Sequence, residues 1–482
     1  MQPRKLPLLT YCQVLTPEQH HSLTLKIIPE IFRNFEAYSA INVNELIVTT
    51  NTIIVHIKEK QNNPNNKIQF IIDKMKTQKL ILSLLLGFMS FTGATAQTEI
   101  ERRFTEKVDS LNELFYLKSK EDRFKDCETI SRNIIELYEE YSDKVSEGYS
   151  YFKYASYYNL ACIQAKQGKK DEATVSLIEA LKDGKLEISY KKLINDSDLK
   201  NILDAEALKP ALDKLKATTD YLYILKSAPA YTKSLSTDTL PVITYLQADD
   251  PGLKRVRQYF NLDSLVVPND ETATIKNVVT YIHNKIRHDG QNGNPSGGAN
   301  AINYAEACKD GKRGLNCRGL ATVLNECYLS IGIPSRVITC LPKTYINDCH
   351  VINAVYSSEL NKWLWIDPTN NAWVTDDKGN MLSVEEVRER LRTDKPVKVN
   401  DEANWNNERK TNTEDYLYEY MAKNLFYIES WTHYGFNTES NKENPVNYII
   451  LQPTGCDSSE RRPGNISVYD DNYAWQSPLK QK

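Results

Sequence analysis

Two stretches decide the fold of this 482-residue chain: GLNCRGLATVLNECYLSIGIP at residues 314–334 and DCHVINAVYSSELNKWLWIDPT at residues 348–369. In the first, apolar residues follow Cys317 at helical spacing, which predicts a helix that Gly332 and Pro334 end. These apolar residues are Leu320, Val323, Leu324, Cys327, Tyr328 and Ile331. Cys317 then lies in the first helical turn, where unpaired N–H groups and the helix dipole favour a thiolate.

The second stretch predicts a β-hairpin, because two runs rich in β-branched and aromatic residues flank a polar turn. If residues 357–360 form a four-residue turn, Tyr356 pairs with Asn361. Counting back along the ladder then places His350 opposite Asp367 on one face. A carboxylate bound to one imidazole nitrogen fixes the tautomer and leaves the other nitrogen free to take a proton from Cys317. The sequence does not show how closely cysteine and histidine approach.

These residues resemble the transglutaminase-like family. The resemblance rests on NCRGLATVLNECYLSIGIPSRVI, CHVINAV and WLWIDPT, and it extends upstream to IKNVVTYIHNKIRHD, covering about residues 270–373. It implies an α+β, papain-like fold in which a helix carrying the cysteine packs against an antiparallel sheet. It also implies that Cys317 is the nucleophile, His350 the general base and acid, and Asp367 the residue that orients the histidine. Many members carry an aromatic residue two positions after the histidine, where this chain has Ile352.

The implied reaction is attack of a cysteine thiolate on an amide carbonyl, with a thioester that water or an amine resolves. Hydrolysis is favoured because no second amine-binding site is visible, although the resemblance allows either outcome. Expected substrates are proteins, peptides or amide-bearing wall or glycan material, and no cofactor is expected. The alternative is an inactive member that serves as a binding module. A Cys317 sulfur within hydrogen-bond reach of a His350 ring nitrogen, with a cleft opening onto it, favours the enzyme, and a sulfur paired with another cysteine favours the binding module.

Composition indicates a globular protein of two or three domains, with 26% charged and 41% hydrophobic residues and a formal net charge of -3. Because no basic cluster is interleaved with aromatic residues, nucleic acid is not an expected partner. No CxxC or paired cysteine and histidine spacing is present, so we predict no metal site.

Residues 75–96, MKTQKLILSLLLGFMSFTGATA, have the pattern of a secretory signal peptide: a lysine-bearing start, a short apolar run and a small-residue end. The apolar run is too short to span a bilayer comfortably, so no membrane span is expected in the mature chain. Cleavage after Ala96 leaves Gln97 first and predicts an exported protein, periplasmic or extracellular. Residues 1–74 then read as an upstream extension from a start codon assigned too early. The alternative is an N-terminal domain that buries the apolar run as a core helix.

The mature chain keeps eight of the nine cysteines. An oxidising compartment permits disulfides, but a catalytic Cys317 must stay free, which leaves an odd number of others whose pairing the sequence does not assign.

Residues 97–228 are predicted to form a helical domain. The unit ASYYNLACIQAKQGKKDEATVSLIEALKDG resembles the tetratricopeptide repeat, in which small residues let two antiparallel helices pack closely. Gln164 occupies a position usually held by an aromatic residue. Such a domain either binds a peptide partner or serves as a structural cap. Residues 229–482 then form the transglutaminase-like domain with a C-terminal extension.

The second domain has two further features. A helix is predicted from Asp270, and His283 and His288 lie on it or just after it. We expect both histidines to be surface or capping residues rather than catalytic ones. Aromatic residues are dense between residues 416 and 434, and at their spacing we expect core packing rather than a cleft lining.

Overall fold

A computed structural model describes residues 99–232, 240–291, 293–344, 348–458 and 464–478. The predicted signal peptide and the segment before it lie outside the described residues. The chain divides into two compact units, the first ending at Leu215 and the second beginning at Lys216. The predicted domain boundary after residue 228 stays a prediction.

The described part of the first unit contains helices and no strands. Its helices are α1 (99–120), α2 (Phe124–Tyr141), α3 (Ser150–Lys166), α4 (Lys170–Leu181) and α5 (Tyr190–Ile194), and α6 (Lys209–Thr219) runs across the division between the units. One core joins α1 to α2 around Phe104 and Ile134. A second core joins α3 to α4 around Ala161 and Leu177.

Helices α3 and α4 pack through small residues, as the sequence predicts. Ala161, Ala173 and Ala180 are fully buried in their shared core. Gln164 is buried too, and its amide accepts a hydrogen bond from Ser176 Oγ at 2.7 Å. A buried amide needs hydrogen-bond partners, and Ser176 supplies one for the oxygen of Gln164. The tetratricopeptide-like assignment itself stays a prediction.

The second unit is built around one eight-stranded sheet with the order β12-β11-β9-β2-β3-β4-β5-β6. Neighbouring strands are antiparallel except β11 and β12, which are parallel. The strands are β2 (Ser335–Leu341), β3 (His350–Ser357), β4 (Lys362–Asp367), β5 (Ala372–Thr375), β6 (Lys398–Val399), β9 (Tyr427–Trp431), β11 (Tyr448–Leu451) and β12 (Ile466–Val468). Two short pairs lie outside it: β1 (Thr244–Tyr245) with β10 (His433–Tyr434), and β7 (Asn404–Trp405) with β8 (Arg409–Lys410).

The helices of this unit are α7 (Tyr221–Lys226), α8 (Pro251–Tyr259), α9 (Glu271–Lys285), α10 (Ala301–Cys308), α11 (Cys317–Ser330), α12 (Val384–Arg392), a π-helix (Glu414–Met421) continued by α13 (Ala422–Asn424), and α14 (Asp471–Ala474). Helix α9 begins after Asp270, as predicted. The Asp270 side chain caps it by accepting a hydrogen bond from Ala273 N. The α+β architecture, with an all-helical part before an antiparallel-rich sheet, confirms the predicted fold class.

Helix α11 is the central element, because every residue from Gly319 to Ser330 is buried. Ala321 and Leu329 pack into the core on the sheet, and Leu324 and Tyr328 pack into a second core with α9 and α10. The helix is therefore held on both sides. Burial of each large apolar side chain stabilises the fold by roughly 1.5–3 kcal/mol. The packing of α11 on both sides therefore fixes the position of its first turn.

The predicted hairpin forms, but the register predicted for it is wrong by two residues. Tyr356 pairs with Trp363, not with Asn361, and Asn353 pairs with Ile366. The turn therefore begins one residue later than predicted. Because side chains alternate between faces with a period of two, a shift of two residues leaves every side chain on its predicted face. His350 and Asp367 still share a face, as diagonal rather than direct neighbours.

Candidate active site

Cys317 is the first residue of α11, as the sequence predicts. The side chain of Asn316 caps the helix by accepting a hydrogen bond from Gly319 N at 3.0 Å, a contact typically worth about 1 kcal/mol. The cap satisfies the N–H of Gly319. The N–H of Cys317 is another of the first-turn groups that have no partner within the helix. Cys317 is partly exposed, whereas the rest of the helix from Gly319 is buried.

A short backbone pairing aligns the segment before Cys317 with the segment after α9. Leu315 N donates to Arg287 O at 3.1 Å, and Asp289 N donates to Leu315 O at 2.7 Å. Gly314 permits this approach, since a Cβ there would lie 2.3 Å from Arg287 O. The pairing brings residue 288 alongside the turn that carries Cys317.

His350 and Asp367 lie at the ends of β3 and β4 and are joined by a hydrogen bond. His350 Nε2 lies 2.8 Å from Asp367 Oδ2, and the two side chains are only 4% and 0% exposed. Nδ1 is therefore the ring atom left for Cys317. The sulfur of Cys317 is hydrogen-bonded to His350, so the structure brings all three predicted residues together.

Three further donors hold the Asp367 carboxylate. Thr369 N donates to Oδ1 at 2.8 Å, while Asn370 Nδ2 and the Tyr416 hydroxyl donate to Oδ2 at 2.9 and 2.6 Å. Burial opposes the charged form, but the charge and hydrogen bond of His350 and these donors lower the pKa of Asp367 to about 2. The aspartate thus stays ionised and fixed in orientation.

Two tyrosines of the π-helix enclose the His350 ring. The ring centroid of Tyr420 lies 5.4 Å from that of His350, and the centroid of Tyr416 lies 6.3 Å away. Ile352, two residues after His350, is fully buried in the sheet core. The density of aromatic residues at 416–434 predicts core packing, but these two tyrosines contact the site. π-Helical turns are frequent at functional sites.

The electrostatics favour an ion pair between Cys317 and His350. Burial alone would raise the pKa of Cys317, but hydrogen bonds from His288 and His350, and the charge of His350, lower it to about 6. Burial also opposes the charged imidazole, yet the carboxylate of Asp367 raises the pKa of His350 to about 10. Between these values the sulfur is a thiolate and the imidazole is protonated, and the two titrate as a coupled pair.

Three other cysteines of the same unit have the opposite character. Burial raises the pKa of Cys349 to about 11, and it raises the pKa values of Cys327 and Cys340 well above the usual range. All eight cysteines of the described residues are free thiols, so Cys317 is not held in a disulfide.

The two histidines expected at the surface have different positions. His283 is buried, and its ring nitrogens lie 2.9 Å from Pro368 O and 3.0 Å from Asn404 Oδ1, so it ties α9 to the loop after Asp367. His288 is hydrogen-bonded to the sulfur of Cys317, and the indole N–H of Trp405 donates to its Nδ1 at 3.2 Å. The expectation of a surface or capping role is wrong for His283, which is buried, whereas His288 is partly exposed and its role stays a prediction. No local sequence signal identifies His288, because its neighbours arrive from residues 315–317 and 405–406.

A group of possible metal ligands among the described residues lies in the first unit, where Cys162, Asp196 and Asp198 converge within 4.8 Å. Protein groups already occupy these carboxylates, since the Tyr158 hydroxyl donates to Asp196 at 2.5 Å and Lys166 pairs with Asp198 at 3.1 Å. The expectation that the protein needs no metal stays a prediction.

Comparison with known proteins points to the same region. Residues 264–368 match the sequence profile of the transglutaminase-like superfamily, a span that contains all three residues of the site. No curated protein and no solved structure matches the chain. Among the residues that the structure describes, no helix has both the length and the apolar character needed to cross a membrane.

Proposed function

We propose that this protein is a cysteine-dependent acyl-transfer enzyme that acts on amide bonds through Cys317, His350 and Asp367. The observation that carries the proposal is the ordered chain of contacts from the Cys317 sulfur to His350 and from His350 Nε2 to Asp367 Oδ2 at 2.8 Å. The match to the transglutaminase-like superfamily at residues 264–368 supports it. The free state of Cys317 supports turnover over a purely binding role.

The reaction begins from the ion pair. The Cys317 thiolate attacks the amide carbon, and the carbonyl electrons move to the oxygen of a tetrahedral intermediate. The N–H of Cys317, at the positive end of α11, donates to that oxygen. As the C–N bond breaks, His350 Nδ1 gives its proton to the leaving nitrogen, and a thioester remains.

The thioester is resolved by the same residues in reverse. The neutral imidazole of His350 removes a proton from water, and the hydroxide attacks the thioester carbon and expels the thiolate. The products are a carboxylic acid and an amine, and the ion pair is restored. An amine in place of water gives transamidation. Asp367 holds the imidazole in one orientation throughout and stabilises its charge.

We place this enzyme outside the cytoplasm, with a protein, a peptide or amide-bearing wall or glycan material as its substrate. The location rests on residues 75–96, whose pattern is that of a cleavable signal. Its measurable consequence is an exported chain that begins at Gln97. A peptide partner for the helical unit belongs to the same proposal.

The test is acylation of the mature protein by p-nitrophenyl acetate, followed by peptide mass spectrometry. We expect a burst of p-nitrophenol and one acetyl group on Cys317 in the wild type, and neither in Cys317→Ala. Cys456→Ser is the matched control, because Cys456 is also partly exposed but lies in another cluster. Casein with dansylcadaverine then separates the outcomes: cleaved peptides, released ammonia or incorporated amine. A wild type without an acetylated Cys317 would leave the non-catalytic binding module as the better description.

A further inference from the structure

We propose that His288 is the side-chain donor that stabilises the oxyanion formed at Cys317. This inference rests on the proposed function and adds a fourth catalytic residue to it. The reaction proposed above has only a backbone donor to this oxygen, the N–H of Cys317. The structure places a second donor of a different kind on the sulfur, and two converging donors are the usual composition of an oxyanion site.

The position of His288 is fixed by backbone contacts on two sides. On one side, residues 287 and 289 pair with Leu315, two residues before the nucleophile. On the other side, His288 N donates to Asn406 Oδ1 at 2.7 Å and Asn406 Nδ2 donates to His288 O at 3.0 Å. The backbone of His288 is therefore held by Leu315 on one side and by Asn406 on the other. These contacts place the His288 side chain beside the Cys317 sulfur.

The tautomer of His288 is fixed by Trp405. An indole N–H is a donor only, so the bond of 3.2 Å from Trp405 Nε1 requires Nδ1 of His288 to accept. A neutral imidazole that accepts at Nδ1 carries its proton on Nε2. Nε2–H is thus available to the sulfur and, in the transition state, to the carbonyl oxygen that develops beside it.

The two histidines at Cys317 consequently have different tasks. His350 binds a carboxylate through Nε2, which favours the charged ring and suits proton transfer. His288 accepts from an indole at Nδ1, which leaves its Nε2–H to donate a hydrogen bond. No proton leaves His288 in the reaction. The negative charge that forms on the oxygen returns to the carbon–oxygen double bond when the intermediate collapses.

The experiment compares two reactions of the same thiolate. Acylation by p-nitrophenyl acetate passes through an oxyanion, and alkylation by iodoacetamide does not. At pH 9 the thiolate of Cys317 is formed, so both rates report reactivity rather than ionisation. We expect His288→Ala to lower the acylation rate by about 100-fold or more and the alkylation rate by less than about threefold, because only one partner of the thiolate is lost. His288→Gln, which can donate through its amide, recovers part of the acylation.

The control is His433→Ala, since His433 lies on β10 and contacts Thr244 rather than the site. It leaves both rates unchanged. A His288→Ala protein whose acylation is unchanged, or falls only in parallel with alkylation, overturns the oxyanion role while the proposed function stands. A wild type that is alkylated but never acylated overturns the proposed function and this inference with it.

Discussion

The first turn and the middle of α11 show how one helix can hold two cysteines of opposite character. The pKa of Cys317 is lowered to about 6, whereas burial raises the pKa of Cys327, three turns later, well above its usual range. Glu326, beside Cys327, is fully buried and its pKa is raised to about 8 by burial, although Ala301 N and Asn437 N donate to it.

The difference teaches that burial alone does not decide the charge of a thiol. Burial opposes the thiolate at both positions, but only the first turn adds hydrogen bonds from two imidazoles, one of them charged, and unpaired backbone N–H groups. The middle of the helix is surrounded by apolar side chains and by its own satisfied backbone. Partners that arrive from other segments decide which cysteine is reactive.

The largest expected effect comes from breaking the hydrogen bond between His350 and Asp367, which keeps the imidazole beside Cys317 charged. Asp367→Asn should lower the rate of Cys317 acylation by roughly 10³- to 10⁴-fold, because an amide can hold the wrong tautomer of His350 and cannot stabilise its charge. Stopped-flow release of p-nitrophenol at pH 7 measures the rate.

Tyr416→Phe is the matched variant for this comparison, since it removes one hydrogen bond to Asp367 Oδ2 and leaves the carboxylate in place. We expect a loss of about 100-fold or less, because a single hydrogen bond to a charged group is worth about 1.5–3 kcal/mol, or roughly 10- to 160-fold, and three donors to Asp367 remain. Equal losses for the two variants would show that the site tolerates no local change, and would remove the special role of the carboxylate.

The second effect concerns the alkylation of Cys317 and Cys327, and how the rate at Cys317 depends on pH. The rate of Cys317 labelling by iodoacetamide should rise with pH through a midpoint near 6 and reach a plateau, because the thiolate forms as the pKa is passed. At pH 7 it should exceed the rate at the buried Cys327 by at least about 100-fold. Peptide mass spectrometry resolves the two sites in one sample.

His350→Ala sharpens the same measurement. It removes the cation that stabilises the thiolate, so the midpoint should move upward toward the free-cysteine value of about 8.5. In the wild type, acylation by an amide should fall at high pH, because His350, which protonates the leaving nitrogen, loses its own proton near pH 10. A midpoint that stays near 6 in His350→Ala would assign the activated thiolate to His288, the backbone hydrogen bond from Val351 and the helix terminus, without His350.

The smallest effect is expected at the middle of the helix. The pKa of Glu326 is raised in the folded chain from its ordinary value to about 8, so the native state binds a proton that the unfolded state releases between about pH 4.5 and 8. Stability should therefore fall as pH rises through that window, by about 1–2 kcal/mol once local relaxation is allowed for. Glu326→Gln should abolish this fall.

Urea unfolding at pH 5 and pH 8 measures it, with tryptophan fluorescence as the signal, because all six tryptophans lie between residues 363 and 475. Glu408→Gln, at an exposed position, serves as control and should retain the wild-type pH dependence. If wild type and Glu326→Gln lose stability equally between the two pH values, Glu326 is ionised in the fold and the contrast with Cys317 is weaker than proposed.

Much of the fold was predictable from local pattern. The helix from Cys317, the helix after Asp270 and the hairpin at residues 350–367 all formed, because each rests on a periodicity and on capping or turn residues that lie within the element. The predicted register was wrong because the position of the four-residue turn cannot be read from residues 357–361 alone. The hydroxyl of Ser357 binds Glu271, on α9, and Leu360 N, whereas the amide of Asn361 binds the Tyr356 hydroxyl.

By itself, the sequence determined the residue types and their faces. It determined a cysteine at a helix start and a histidine and an aspartate on the same face of two strands, because helix caps and strand alternation are properties of neighbouring residues. Only the tertiary structure decided which of these groups meet. The approach of Cys317 to His350, the donors from Tyr416 and Asn370, and the clamping of His288 by Trp405 and Asn406 join segments that are distant in the chain. Hydrogen bonds and charges act through space over a few ångströms, and no periodicity in one stretch records which other stretch will lie beside it.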